Sequence, residues 1–448
     1  MANKLSNLKF VQTIKNIWKV EDLRVRIGIT LLFVAIYRFG SQIVLPGIDT
    51  AELLKDKPLN PEQENGLMSL LDMFSGGALT NASIFALGIM PYISASIVLQ
   101  LLGLAVPYFQ KLQREGESGR RKMNQYTRYL TLAILVPQAM AYLANMESLV
   151  GQGVLKVDSG AMFYVTSTIL LAAGSMFILW LGERITDKGI GNGVSLIIMI
   201  GIIARLPQAI IAEFSTRVSD AAGGGAVMLI IEFVLLVLVT AGAVALLRGT
   251  RKIPVQYAKQ AVGGAAVSGA RQYLPLKVNA ANVMPIIFAQ AIMFIPAAIM
   301  GFNNSSSMLT DNTSWLYNLI FALLIIVFTY FYTAITINPM QMAEDMKRNN
   351  GFIPGVKPGK PTAEYIDTIM SRLTLPGALF LAFIAILPVF AGSKMLGMQP
   401  EFANFFGGTS LLILVGVILD TLQQVESHLM MRHYDGLLSS GRIKGRIG

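Results

Sequence analysis

The side chains able to do covalent or metal chemistry are few, and their spacing excludes most of it. The chain has 448 residues and no cysteine, so disulfides and thiolate metal sites are excluded. Its two histidines, His428 and His433, stand near the C-terminus without a cluster of partners and read as solvated surface. No phosphate-binding G-x-x-x-x-G-K-[ST] loop, no H-E-x-x-H zinc pair and no Ser/His/Asp arrangement occurs. Within the spanning windows carboxylates are few, among them Glu232 and Asp420. Ion-coupled carriers place several ionisable groups at the membrane midplane, and so few give little support to coupling. Glu232 reads as pairing with another helix or reaching an interface. The expectation is a protein that is not an enzyme, holds no cofactor and no metal, and takes its driving force from a partner.

The spacing that remains informative is apolar and polar. At about 100° per helical residue, Ile89, Ile93, Ser96 and Gln100 share one stripe. Two branched apolar side chains occupy one level and two polar ones lie deeper. A packed interface accepts that order, and so does a wet funnel narrowing to an apolar collar, which restrains ions by dewetting. Val194 and Ile198 repeat the spacing, and core packing explains each pair by itself. The glycines of GIGNG (residues 189–193) let backbones approach closely at a helix start.

These residues sit on segments made for a membrane. The chain is 54% hydrophobic and 14% charged, and no soluble domain could hide so many apolar runs. Ten windows read as spanning helices: 27–45, 82–106, 127–146, 162–182, 190–212, 226–247, 281–301, 315–337, 374–392 and 405–430. The connections alternate in charge. The N-terminal segment 1–26, loops 107–126, 183–189, 248–280 and 338–373, the tail 431–448 and Arg128 together hold 29 of the 36 Lys and Arg. Loop 46–66 is acidic instead. The positive-inside rule makes the basic side cytoplasmic, with both termini there. The +10 charge is thus one-sided rather than a nucleic-acid signature. The N-terminus is basic and amphipathic, lacks a signal-peptide core and reads as retained. Ten spans divide into a half at 27–212 and a half at 226–430, joined by an extracytoplasmic hinge connection at 213–225. An odd number per half inverts the second, the arithmetic of an inverted repeat.

One segment starts twice. Residues 66–79 are apolar but carry Asp72 and the Gly76–Gly77 pair, and at about 1.5 Å per residue they are too short for a ~30 Å hydrocarbon core. A full apolar run, 84–106, follows. Irregular backbone in a membrane must be packed in protein or line a wet cavity. Two basic loops are long. In 248–280, KIPVQYA and RQYLPLKV flank a Gly/Ala/Ser centre and predict a protruding hairpin. GFIPGVKPGKP stiffens the tip of 338–373. Together they predict a docking surface for an acidic or phosphate-rich partner.

Seven long stretches follow one another in order: DMFSGGALTNASIFALGIMPYISASI (72–97), EGESGRRKMNQYTRY (115–129), GERITDKGIGNGVSLII (182–198), LPLKVNAANVMP (274–285), NGFIPGVKPG (350–359), IMSRLTLPGAL (369–379) and GGTSLLILVGVILD (407–420). Together they resemble the SecY family, the channel subunit of the bacterial Sec protein translocase. It implies an all-α polytopic bundle of ten transmembrane helices in two pseudo-symmetric inverted halves of five, with a short re-entrant plug helix. The pore ring falls on Ile89, Ile93, Val194, Ile198, Ile287 and Ile413, with Val194 where the family usually has isoleucine. The plug falls on about 67–79, including Leu67, Leu70, Leu71, Met73, Phe74, Ser75, Gly76 and Gly77. The lateral gate falls between spans 2–3 and 7–8, with Ser94, Gln100, Thr127 and Gln290 as polar contacts. Docking falls on Arg251, Lys252, Lys259, Arg271 and Lys357. Lys357 replaces the family's arginine, keeping the charge and losing the planar fork. Gly263–Gly264 stand where an arginine pair is expected.

The partners so implied are SecE and SecG, the SecA ATPase, the ribosome with an rRNA contact through the basic loops, signal-peptide-bearing preproteins and membrane lipid. The implied location is the bacterial cytoplasmic membrane. The expected function is a protein-conducting channel that passes unfolded secretory chains across and releases hydrophobic segments sideways. A secondary transporter using Glu232 and Asp420, or a passive scaffold for cytoplasmic complexes, are the alternative readings.

Overall fold

The computed structural model describes residues 18, 20–48, 72, 74–144, 161–219, 225–257, 261–262, 265–266, 271–301, 314–391, 397–403, 405 and 408–439. Of the residues named above, Leu67, Leu70, Leu71, Met73, Lys259, Gly263 and Gly264 lie outside the described set.

In chain order the helices of the first part are α1 (Glu21–Gly40), α2 (Met90–Ala105), α3 (Pro107–Arg114), α4 (Glu117–Ala144), α5 (Ala161–Lys188), α6 (Gly193–Ser219) and α7 (Gly225–Arg248). Strands β1 (Thr250–Tyr257), β2 (Ala261–Val262), β3 (Ala265–Ala266) and β4 (Arg271–Lys277) follow. Then come α8 (Met284–Gly301), α9 (Trp315–Thr336), α10 (Pro339–Arg348), β5 (Gly351–Phe352), α11 (Lys360–Ala391), α12 (Pro400–Ala403) and α13 (Gly408–Ser439). Each of the ten apolar windows is met by one helix: α1, α2, α4 to α9, α11 and α13. Among the described residues, six helical stretches are long and apolar enough to cross a membrane, and the bent pair α2–α3 makes a seventh when taken as one span. The chain is a multi-pass membrane protein. In α7 the apolar residues run all round the helix, and only 17% of its apolar window is buried. Val227, Ile230 and Leu238 stand exposed there, as expected of a helix whose solvent is lipid.

Proline and the helix ends set the boundaries. Glu21 and Asp22 open α1 and Arg38 closes it, the charge order the helix dipole favours. Asn338 caps α10 by accepting the Gln341 N–H at 3.2 Å, with Pro339 in the first turn. Pro137, Pro207, Pro376 and Pro388 lie inside α4, α6 and α11, positions that neighbouring helices tolerate in a membrane.

The second span differs from the reading of 82–106 as one helix. The regular helix is the 16 residues of α2, about 24 Å long. Residues 76–89 before it run as turns, with an isolated bridge between Val44 and Ser83. Their backbone forbids a helix: Gly76, Gly77, Ala82 and Gly88 have φ of +67°, +88°, +47° and +52°. Pro91 then fixes the helix start. At the other end Val106 is extended before Pro107, and α2 and α3 meet at a bend of 102°.

The predicted hairpin is present, with β1 antiparallel to β4 from Thr250↔Lys277 to Gln256↔Arg271. The sheet has a third strand that the sequence did not announce. β5, from the other basic loop, adds to the free edge of β1 through Gln256↔Phe352 and Tyr257↔Gly351. Ile253, Val255 and Leu276 of the hairpin bury against Met346, Ile353, Ile366, Ile369 and Met370. The two basic loops therefore form one folded body.

The described residues form two compact units. One comprises the residues before 208 together with those from 417 onward, and the other comprises residues 208–416.

Candidate functional site

Several polar ties of the first unit converge on the segment that starts twice. Asp72, Phe74 and Ser75 are helical, and turns follow from Gly76. The Ser75 hydroxyl donates to the Asp72 carbonyl (3.0 Å) and its oxygen accepts the Leu79 N–H (3.2 Å). Glycine is required where the segment meets α6. A Cβ on Gly76 would stand 2.9 Å from the Cα of Gly201, and one on Gly201 would stand 2.6 Å from the Phe74 carbonyl oxygen. Broken backbone inside a membrane leaves carbonyls without helical donors, at several kcal/mol each. Here side chains supply those donors. The Tyr37 hydroxyl donates to the Ser75 carbonyl (3.2 Å), Arg38 Nη1 to the Gly76 carbonyl (3.0 Å) and the Tyr142 hydroxyl to the Leu79 carbonyl (2.9 Å). Leu79, Ala82 and Ala86 pack into an apolar cluster with Leu45, Leu135 and Ala139.

Asp72 is buried and ion-paired with Arg205 of α6. Its Oδ1 accepts the Thr80 N–H at 2.9 Å, and its Oδ2 lies 3.2 Å from the Thr80 hydroxyl. Arg205 Nη2 donates to that same hydroxyl oxygen at 2.8 Å. Carboxylate, hydroxyl and guanidinium thus form a closed triangle, in which both oxygens of the buried carboxylate are bonded.

Of the ring residues, Ile89 is the N-cap of α2 and Ile93 donates its N–H to the Ile89 carbonyl at 3.1 Å, so both keep the predicted face although the helix begins at Met90. Ile89 is buried and Ile93 half-buried. Val194 and Ile198 lie one turn apart at the start of α6, half-buried and buried. The close approach expected of GIGNG is present. A Cβ on Gly182 would lie 3.2 Å from Val194 Cγ2. Gly191 has φ +83° and donates its N–H to Gln424 at 2.8 Å, and Gly193 donates to Thr186 at 2.9 Å. In the second unit, Ile287 is half-buried on α8 and Ile413 buried on α13.

Among the gate residues, Ser94 and Gln100 lie half-buried on α2, and Gln100 donates to Ser96 at 3.4 Å. Thr127, buried on α4, returns its hydroxyl to the Met123 carbonyl at 2.9 Å. Gln290 on α8 donates to Thr409 of α13 at 2.5 Å. Arg251 and Lys252 are exposed on β1, and Arg271 pairs through its backbone with Gln256. Lys357 is exposed between β5 and α11, beyond the Ile353 anchor.

Two charge groups were missed by the sequence reading. One is the Asp72–Thr80–Arg205 triangle. The other explains Glu232, which is buried and accepts from Arg217 at 2.5 Å, while Arg217 Nε donates to Glu213 at 2.9 Å. Glu213 also accepts the Gln399 N–H at 2.8 Å. Glu232 thus ties α7 to the end of α6. Asp420 is exposed on α13.

A family model described as SecY matches residues 83–422. The protein translocase subunit SecY of Corynebacterium glutamicum is 42% identical over 439 residues, covering 94% of this chain and 98% of that protein. The chain belongs to the SecY family. The SecY subunit of Escherichia coli K12 is likewise 42% identical over 435 residues, covering 95% of this chain and 96% of that protein. Among solved structures, one described as a protein conducting channel matches with a TM-score of 0.62 at 16% identity, over 90% of this chain and 92% of that one. Another, of a SecY whose plug domain is described as stabilising the closed state and maintaining a membrane seal, matches with a TM-score of 0.60 at 16% identity and the same coverage. Sec61 from a canine ribosome–channel complex gives 0.60 at 15% identity, again over 90% and 92%. The fold expected from the sequence, an all-α polytopic bundle of the SecY type, is the fold these structures share.

Proposed function

We propose that the chain is the protein-conducting subunit of a bacterial Sec translocase in the cytoplasmic membrane, with both termini cytoplasmic. The observation that carries this reading is the glycine-hinged segment around Asp72–Leu79, held inside a helical unit by side-chain ties rather than by its own secondary structure. A segment so placed serves as a plug. The halves 27–212 and 226–430, joined through 213–225, enclose the path. Ile89, Ile93, Val194, Ile198, Ile287 and Ile413 form the apolar ring around it. Such a ring offers little adhesion to a passing chain and restrains ions by dewetting. Ser94, Gln100, Thr127 and Gln290 line the lateral gate.

The protein supplies a path and a partition test, and catalyses no reaction of its own. An unfolded preprotein is pushed through by SecA or by the translating ribosome. Leu, Ile, Val and Phe gain roughly 0.3–0.6 kcal/mol per central residue by entering lipid, while Asp, Lys or Arg costs about 2.5–3.5 kcal/mol. Apolar stretches therefore leave sideways and polar ones continue across. SecA and the ribosome dock on the basic sheet through Arg251, Lys252, Lys259, Arg271 and Lys357. SecE and SecG complete the complex. Deleting residues 67–79 should raise the resting ion conductance of the complex in planar bilayers. An unchanged conductance would contradict the plug reading.

A further inference from the structure

We propose that Asp72, Thr80 and Arg205 form a charge latch that sets how readily the plug leaves. The proposal rests on the plug reading and names the residues that hold the plug shut. Arg205 stands 12 residues beyond Gly193, the first residue of α6, about 18 Å along the helix. An arginine at such depth is costly unless it is paired or hydrated. With the plug seated, it is paired with Asp72, whose side chain is 3% exposed, and it bonds the Thr80 hydroxyl at 2.8 Å.

The segment then divides into two parts with different attachments. From Ser75 to Leu79 the backbone carbonyls are bonded by Tyr37, Arg38 and Tyr142. That part is a stem fixed to α1 and α4 by neutral acceptors. Asp72 lies on the far side of the Gly76–Gly77 turn, where φ of +67° and +88° lets the chain change direction. Its attachment is ionic. When residues before Gly76 swing away, the Arg38 and Tyr142 bonds of the stem can persist, while the Tyr37–Ser75 bond and the Asp72–Arg205 pair must break. Breaking it is tolerable only if water reaches both charges, as it does when a pore fills. The latch therefore couples plug release to wetting of the path. A translocating segment must supply that free energy by preferring the open state, so the latch also sets how strong a signal sequence has to be.

The test is single-channel recording of the complete complex in planar bilayers, which counts conductance per channel and so does not depend on yield. D72N and R205Q are each expected to raise the resting open probability at least tenfold, because each leaves a charge in the apolar bundle without its opposite partner, half-buried Arg205 in the first and buried Asp72 in the second. The D72N/R205Q double variant leaves no unpaired charge, and its open probability should fall below that of either single variant. R205K keeps the charge and loses the planar fork, and should lie between wild type and R205Q. Wild-type behaviour of both single variants, alongside a leaking 67–79 deletion, overturns the latch and leaves the plug. A double variant whose effect is the product of the two singles also overturns it, because the residues then act independently. A deletion that does not leak overturns the plug reading itself.

Discussion

The buried triangle of the first unit and the basic sheet of the second use charge in opposite ways. Asp72 and Arg205 are paired inside an apolar bundle, and their neighbours Tyr37, Arg38 and Tyr142 are spent on backbone carbonyls. On the sheet, the apolar residues Ile253, Val255 and Leu276 are inside, and Arg251, Lys252 and Lys357 face outward. Charge that is desolvated and matched holds a conformation. Charge that is solvated contributes little to stability and remains available to a partner. The difference lies in what surrounds the charges and in whether an opposite charge stands beside them.

Removing one member of a buried group should have the largest effect. Arg217→Leu leaves Glu213 and Glu232 facing each other in the second unit without their shared cation. It should cost about 3–5 kcal/mol, seen as a lowered midpoint in thermal unfolding of the purified complex in detergent. A midpoint within a degree of wild type would mean that burial does not give charge its holding role.

Next comes the apolar floor of the sheet. Ile253→Ala should cost about 2–5 kcal/mol locally and open the 248–280 hairpin to protease while the spans stay protected. The smallest effect on stability belongs to the outward cations. Arg251→Glu with Lys252→Glu should leave the unfolding midpoint unchanged, within about 0.5 kcal/mol. The same pair should weaken SecA and ribosome binding roughly tenfold at low salt, a loss that shrinks as ionic strength screens it. If the reversal destabilises the chain instead, the contrast between the two regions fails.

The sequence displays one of these regions and hides the other. The ten apolar windows each mark a helix because lipid-facing segments must be continuously apolar. The hairpin shows because β-branched and aromatic runs flank a turn-rich centre. The addition of β5 does not show, because Gly351 and Phe352 join β1 through backbone hydrogen bonds that carry no side-chain signature. The late start of α2 is hidden for a related reason. The run from Ile84 to Ile89 is apolar enough for a span, and the positive φ at Ala82 and Gly88 is a tertiary outcome. The latch is hidden by distance, since 125 residues separate Thr80 from Arg205. A usable signal was present all the same. A lone arginine in an apolar window demands a partner, and Asp72 is a lone carboxylate in another such window. Of the ring, sequence gives the i, i+4 spacing of Ile89 with Ile93 and of Val194 with Ile198, and both pairs keep that spacing in the first unit.

The central claim is that the chain is a plugged, passive path moved by a partner. The most direct measurement is import of a signal-bearing preprotein into vesicles reconstituted with SecE and SecG, with and without this chain. Protease-protected preprotein should accumulate only when the chain, SecA and ATP are all present. Protected preprotein in vesicles lacking the chain, or saturable small-solute uptake that needs neither SecA nor ATP, would contradict the account.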